Sequence, residues 1–161
     1  MKKFICLLTF FIIQQTVFSQ DRLGNGIYLV DGNNTVVSPE QQKAQVQLNP
    51  LFFVGDPESY DSLTINKTEF VPFNLAAMPV MQRLDDGQAQ VIVHLADYAI
   101  EQLKEFSAKH IMNEVAIIVD EQVIAVYKLS AIISGGVIKI ANGSGAACKE
   151  ISRQLKMAFK N

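Results

Sequence analysis

Three features of the chain predict an α+β fold, a mainly antiparallel sheet with two helices packed on one of its faces. Two segments, about 97–110 and 145–159, carry apolar residues at helical spacing. Several short β-branched runs bounded by turn residues read as strands. In the C-terminal part these elements follow the order β-α-β-β-β-α, whose consecutive strands favour antiparallel pairing over βαβ crossovers.

The first nineteen residues stand outside this fold. Lys2 and Lys3 precede the apolar stretch Phe4 to Ile13, and polar residues with Val17 and Ser19 follow, the pattern of a secretory signal peptide cleaved before Gln20. The apolar stretch is shorter than the roughly 20 residues of a bilayer-spanning helix. Cys6 lies inside it, too near the N-terminus to be the acylated cysteine of a lipoprotein. The reading implies a periplasmic or extracellular protein.

Residues 20–87 read as the β-rich part of the domain. Gly26 to Val30 and Thr35 to Ser38 flank Asp31-Gly32-Asn33-Asn34, residues that tolerate positive φ and predict a hairpin. Val46 to Val54 and Ser62 to Phe70 are weaker strands, separated by Gly55-Asp56-Pro57.

Residues 88–161 form the α+β core. From Gln88 to Leu95, Val91, Val93 and Leu95 share one strand face and Gln90, Ile92 and His94 the other. From Asp97 the period lengthens, placing Ala99, Leu103, Phe106 and His110 on one helical face. Val115 to Val119, Val123 to Lys128 and Gly136 to Ala141 then predict a three-stranded antiparallel meander. The last helix, about Gly145 to Phe159, sets Cys148, Ile151, Leu155 and Phe159 along one stripe and Lys149, Arg153, Lys156 and Lys160 along another.

Composition narrows the function. Cleavage removes Lys2 and Lys3 and takes the formal charge from −2 to about −4, which argues against nucleic acid. Cys148 is then the sole cysteine, so no intramolecular disulfide forms and a packed core supplies the stability.

No motif carries chemistry. Gly143-Ser144-Gly145-Ala146-Ala147-Cys148 approaches a dinucleotide-binding glycine motif but lacks its third glycine, and the chain ends before a βαβ unit could be completed, so it reads as a turn and helix N-cap. Cys148 shares an apolar stripe and reads as a buried thiol. His110 suits a helix C-terminus, His94 a strand surface, and Asp85-Asp86-Gly87 and Asp120-Glu121 solvated turns. Catalytic residues, metal ligands and cofactors are therefore not expected.

Val93 to Gly136 resembles, without a gap, the head subdomain of the first large periplasmic domain of SecD, a subunit of the SecDF protein-export machinery. Leu95 ends a strand and the charged helix Ala99 to Lys109 follows. Ala116-Ile117-Ile118-Val119-Asp120-Glu121 is similar to an Ala-Ile-Val-Leu-Asp-Gly pattern. Val123-Ile124-Ala125-Val126-Tyr127 is similar to a Val-Ile-Ser-Ala-Pro pattern, and Ile133-Ser134-Gly135-Gly136 to the closing Ile-Ser/Thr-Gly-Gly turn. Glu121 replaces the family's glycine, which predicts a longer turn, and Tyr127 replaces its proline, which lets the strand run on to Lys128. No transmembrane helices follow the motif, so the resemblance implies a freestanding head-like module rather than a proton-driven translocase.

The function expected is an exported, non-catalytic binding module that contacts unfolded or exported polypeptide, or an envelope protein, through a sheet edge or an apolar groove. The residues placed at a partner surface are Tyr127, Phe52, Phe53, Phe70 and Phe73. The alternative is a small secreted enzyme or enzyme inhibitor built on the aromatic and proline-rich segment 49–79. A cleft with convergent polar groups would favour that alternative. An apolar groove beside an open strand edge would favour the binding module.

Overall fold

The computed structural model describes residues 22–31, 43–48, 62–142 and 144–159. The strands are β1 (Gly26–Val30), β2 (Lys43–Gln47), β3 (Ser62–Pro72), β4 (Val80–Arg83), β5 (Ala89–His94), β6 (Glu114–Val119), β7 (Gln122–Lys128) and β8 (Val137–Asn142). The helices are α1 (Asp97–Lys109) and α2 (Gly145–Phe159). The α+β class is borne out. The signal peptide, Phe52, Phe53 and the strand at Thr35 to Ser38 lie outside the described residues.

The strands divide into two antiparallel sheets, β2-β3-β1-β6-β7 and β4-β5-β8. The expected meander therefore stops after two strands. β8 pairs with β5 along Ala89↔Asn142 to His94↔Val137, instead of continuing from β7. The intervening segment from Leu129 to Gly136 is long enough to carry the chain to the second sheet, where Leu95 donates its amide to the Gly136 carbonyl.

β1 also departs from expectation. Every one of its residues is buried, and Gly26 to Tyr28 pairs with β3 on one edge and with β6 on the other. Both edges of β1 are thus taken by described strands, and Thr35 to Ser38, its expected hairpin partner, lies outside the described residues. An entirely buried, centrally placed strand explains why Gly-Ile-Tyr-Leu-Val alternates only weakly in polarity.

The five-stranded sheet curls on itself. Leu48, just beyond edge strand β2, forms a parallel bridge with Val123 of the opposite edge strand β7. Tyr28, Val30, Val46, Leu63, Ile65, Ala116, Ile118 and Val123 fill the concave interior. On the convex side Ile27, Leu29, Ile117 and Val119 join a larger cluster with Leu103 and Phe106 of α1, Ile151 and Leu155 of α2, and Val91 and Val93 of β5. Both helices thus pack on one face of the sheet, as predicted, while the other face buries a core of its own.

Local chemistry fixes the element ends. Ser144 Oγ accepts the Ala147 amide at 3.2 Å, the expected N-cap of α2. Asp86 Oδ1 accepts the Gln88 amide at 2.9 Å and Gly87 takes φ 82°, forming the turn between β4 and β5. The longer turn expected at Asp120-Glu121 is not found. Val119 pairs with Gln122, and the two intervening residues adopt φ 50° and 61°. The backbone twist of a tight hairpin selects this left-handed pair, and Asn25 Oδ1 supports it by accepting the Asp120 amide at 2.7 Å.

Each such non-glycine residue costs roughly 1 kcal/mol of local strain. Glu121→Gly is therefore expected to raise unfolding free energy by about 0.5–1 kcal/mol, read by urea denaturation. An unchanged or lowered midpoint would show that the turn carries no relievable strain.

The C-terminal end of α1 is held in an unexpected way. The His110 ring caps no carbonyl. It sits buried, 3.1 Å from Glu69 Oε2 on β3 and 4.8 Å from the Phe106 ring, while Lys109 donates to Glu69 Oε1 at 2.6 Å. The Lys109 hydrogen bond, aided by His110, holds the Glu69 carboxyl below its ordinary 4.5.

A carboxyl whose pKa is lowered on folding stabilises the fold above its unfolded value, and the gain disappears as pH falls through the folded value. Solvent screening of the partly exposed pair limits the effect. Glu69→Gln should cost about 0.5–1 kcal/mol at neutral pH. Urea titrations should show that difference shrinking once pH drops below the 4.5 of the unfolded carboxyl.

Candidate functional site

A cleft of about 310 Å³ opens where the N-terminus of α1, the end of α2 and the segment after β3 converge. Phe73, Tyr98 and Phe159 supply its aromatic walls, with Leu75 and Leu155 beside them and Asn25 and Asn74 as its polar groups. Two backbone contacts build it. Phe73 donates its amide to the Asn25 carbonyl at 2.9 Å, and Ala96, just before α1, donates to the Asn74 carbonyl at 2.8 Å. Tyr98 then stands on the exposed side of the first turn of α1 with 58% of its surface open. Phe159 ends the apolar stripe of α2 beyond Leu155 and is 39% exposed, while Leu155 is buried.

The walls of the cleft are mixed, aromatic rings standing beside amide and hydroxyl groups. Aromatic rings offer large contact areas at little conformational cost. The two asparagines neither donate nor accept a proton at neutral pH, and Asn25 is already engaged with the Asp120 amide. Among the described residues no three His, Cys, Asp or Glu side chains gather as a metal site would require.

A second groove, of about 500 Å³, lies between β4 and α2. Met81 and Met157 form its apolar surface, with Lys149, Arg153 and Lys156 along its rim. Both recesses border α2.

The aromatic residues expected at a partner surface are dispersed. Phe73 lines the cleft. Phe70, 37% exposed, stacks on Tyr28 at 4.7 Å and belongs with the concave core. Tyr127 pairs with Val115 and lies 38% exposed on the convex face, three strands from Phe70. Partial burial pushes its phenol above the ordinary value. Tyr98 and Met81 were not among the expected residues, and Phe159 was read as core. A sequence signal existed for Tyr98, an aromatic residue off the apolar face of its helix.

No family model and no curated protein matches the chain. Solved structures do. The crystal structure of SecDF in its super-membrane-facing form aligns with 81% of this chain at 18% identity, with a TM-score of 0.53. A second SecDF structure, of a "membrane component SecDF that enhances protein export", aligns with 83% at 14% identity and a TM-score of 0.48. The chain shares a fold with part of SecDF. It spans 18% of the first SecDF chain and 63% of the second, and no helix among the described residues is long and apolar enough to cross a membrane.

Within this SecDF-like fold the remaining chemical candidates have structural places. Cys148 is fully buried and its thiol points to the Ala89 carbonyl at 3.3 Å. His94 is exposed on the outer face of the three-stranded sheet, and His110 is committed to Glu69.

Of the two glycines in the Ser134-Gly135-Gly136 turn, only Gly136 is sterically constrained. A Cβ there would meet the Ile100 side chain, whereas one on Gly135 would meet nothing within 4 Å.

Proposed function

We propose that this chain is an exported, non-catalytic module of the SecD-head type that binds polypeptide segments in the cell envelope. The observation that carries the reading is the cleft framed by Phe73, Tyr98 and Phe159, three aromatic rings with no carboxylate, imidazole, amine or thiol among the lining side chains. Its size suits one or two apolar side chains of an extended segment. The SecDF-like fold agrees with a role beside exported chains. The exposure of Tyr98 and Phe159 leaves ring surface free for a partner.

The test is fluorescence anisotropy with a reduced and alkylated polypeptide that remains unfolded. Tyr98→Ala combined with Phe159→Ala should weaken binding by about tenfold, the loss of two modest aromatic contacts. The melting temperature should stay close to that of the parent because both rings are exposed. Full affinity in the double variant would remove the cleft from the site. Absence of capture together with turnover in a substrate panel would replace the reading with an enzymatic one.

A further inference from the structure

We infer that the groove between β4 and α2 receives an extended polypeptide segment that presents both apolar and acidic side chains on one face, added as a fourth strand on the edge of β4 that no described strand pairs with. This rests on the polypeptide-binding reading above and gives that activity a charge preference.

The first observation is the edge itself. Val80 to Arg83 pairs with β5 on one side, all four residues are exposed, and no described residue pairs with the other side. Such a row of backbone donors and acceptors is a template for strand addition. A strand added there runs about 4.8 Å beyond β4. Met81, paired with buried Val91, faces the side of the sheet on which α2 packs, and Arg83, two residues on, shares that side. Alternate side chains of an added strand on this side therefore enter the groove, where Met81 and Met157 offer apolar contact.

Ser152 gives the second observation. It lines the groove and is only 4% exposed, yet its hydroxyl is buried without a hydrogen-bond partner. Buried polar atoms in folded proteins are overwhelmingly satisfied, and rotation of the Ser152 hydroxyl toward an occupant of the groove would supply the bond it lacks.

Charge selects the occupant. Lys149, Arg153 and Lys156 border the groove in a chain whose formal charge is −2. Glu150 is paired with Arg153, whereas Lys149 and Lys156 have no ion-pair partner among the described residues. Carboxylates on the added strand are matched by these cations. A second copy joined edge to edge through β4 would instead bring two basic rims together, which disfavours a homodimer by like-charge repulsion.

The experiment uses a fluorescein-labelled peptide whose every second residue is in turn valine and glutamate, with serine between them, so that both kinds share one face, a second with lysine in place of glutamate, and a third N-methylated on the amides of one edge. Anisotropy should show the glutamate peptide binding at least about tenfold more tightly than either control, and weakening as salt rises from about 0.05 to 0.5 M. Lys149→Glu with Lys156→Glu should reverse the preference between glutamate and lysine peptides, with circular dichroism unchanged.

Equal binding of the glutamate and lysine peptides, or indifference to N-methylation, overturns the inference. It is also overturned if anionic phosphatidylglycerol vesicles bind while the peptide neither binds nor competes, or if the peptide binds only a dimer. Where a neutral unfolded polypeptide still binds but the charge preference is absent, this inference fails and the broader reading stands. Where no polypeptide of any charge binds, both fail.

Discussion

Gly26→Ala should destabilise the protein by about 3 kcal/mol or more, a loss that a urea titration reads as a large drop in midpoint. A Cβ on this residue would lie 2.5 Å from the Val71 carbonyl oxygen and 3.3 Å from the Pro72 Cα, both backbone atoms of the neighbouring strand. No side-chain rotation relieves that contact. β1 and β3 must separate, and β1 is also held by β6 on its other edge.

The entropic benefit of replacing glycine, about 0.4–1 kcal/mol, is too small to compensate. Gly136→Ala is the informative control, because its new methyl group would press on the flexible end of Ile100. It should cost about 1 kcal/mol or less. Similar costs for the two variants would mean that the β1–β3 spacing yields easily.

Ile65→Ala should cost about 2–5 kcal/mol. Ile65 is fully buried in the concave interior, opposite Val30 on β1 and Ala44 on β2. Strands paired on both sides of Ile65 oppose collapse around the cavity, which keeps the penalty in the upper part of the range. Ile65→Val, which removes one methylene, should cost about 1 kcal/mol.

Leu103→Ala strikes the separate core on the convex side. The sheet lies between the two sites, so the double variant should lose the sum of the single losses to within about 0.5 kcal/mol. A marked departure from additivity would show that the two cores behave as one.

The elements that could be read from the sequence are those whose partners are close along the chain or whose burial repeats strictly. α1 buries Ala99, Leu103 and Phe106 at helical spacing, and Gly145–Phe159 matches the predicted final helix. The hairpin from Val115 to Lys128 is joined by two residues, so adjacency alone identifies its pairing.

β8 was legible as a strand but not as a partner of β5, because hydrophobic alternation states which face is buried and says nothing of which strand lies alongside. β4 left almost no trace. Val80-Met81-Gln82-Arg83 is four residues long and exposed throughout, so burial imposed no pattern on it. The curled sheet was likewise invisible, since its closing bridge joins Leu48 to Val123, far apart in the chain.

The candidate site was legible only in part. Phe73 stood out within a segment rich in aromatics and prolines. Tyr98 and Phe159 became its neighbours only after two helices and the β3–β4 connection had converged. Phe70 shared the same sequence signal and had a different fate, because its register opposite Tyr28 committed it to a ring stack.

The central place of β1 has a consequence for the order of events as the chain is made. Gly26–Val30 emerges among the first described residues, yet β6, which covers one of its edges, is complete only at Val119. Throughout that interval a strand of mostly apolar residues waits for a distant partner, and formation of such remote pairings is slow and exposes the chain to aggregation. The step that covers this edge of β1 is the arrival of the β6–β7 hairpin.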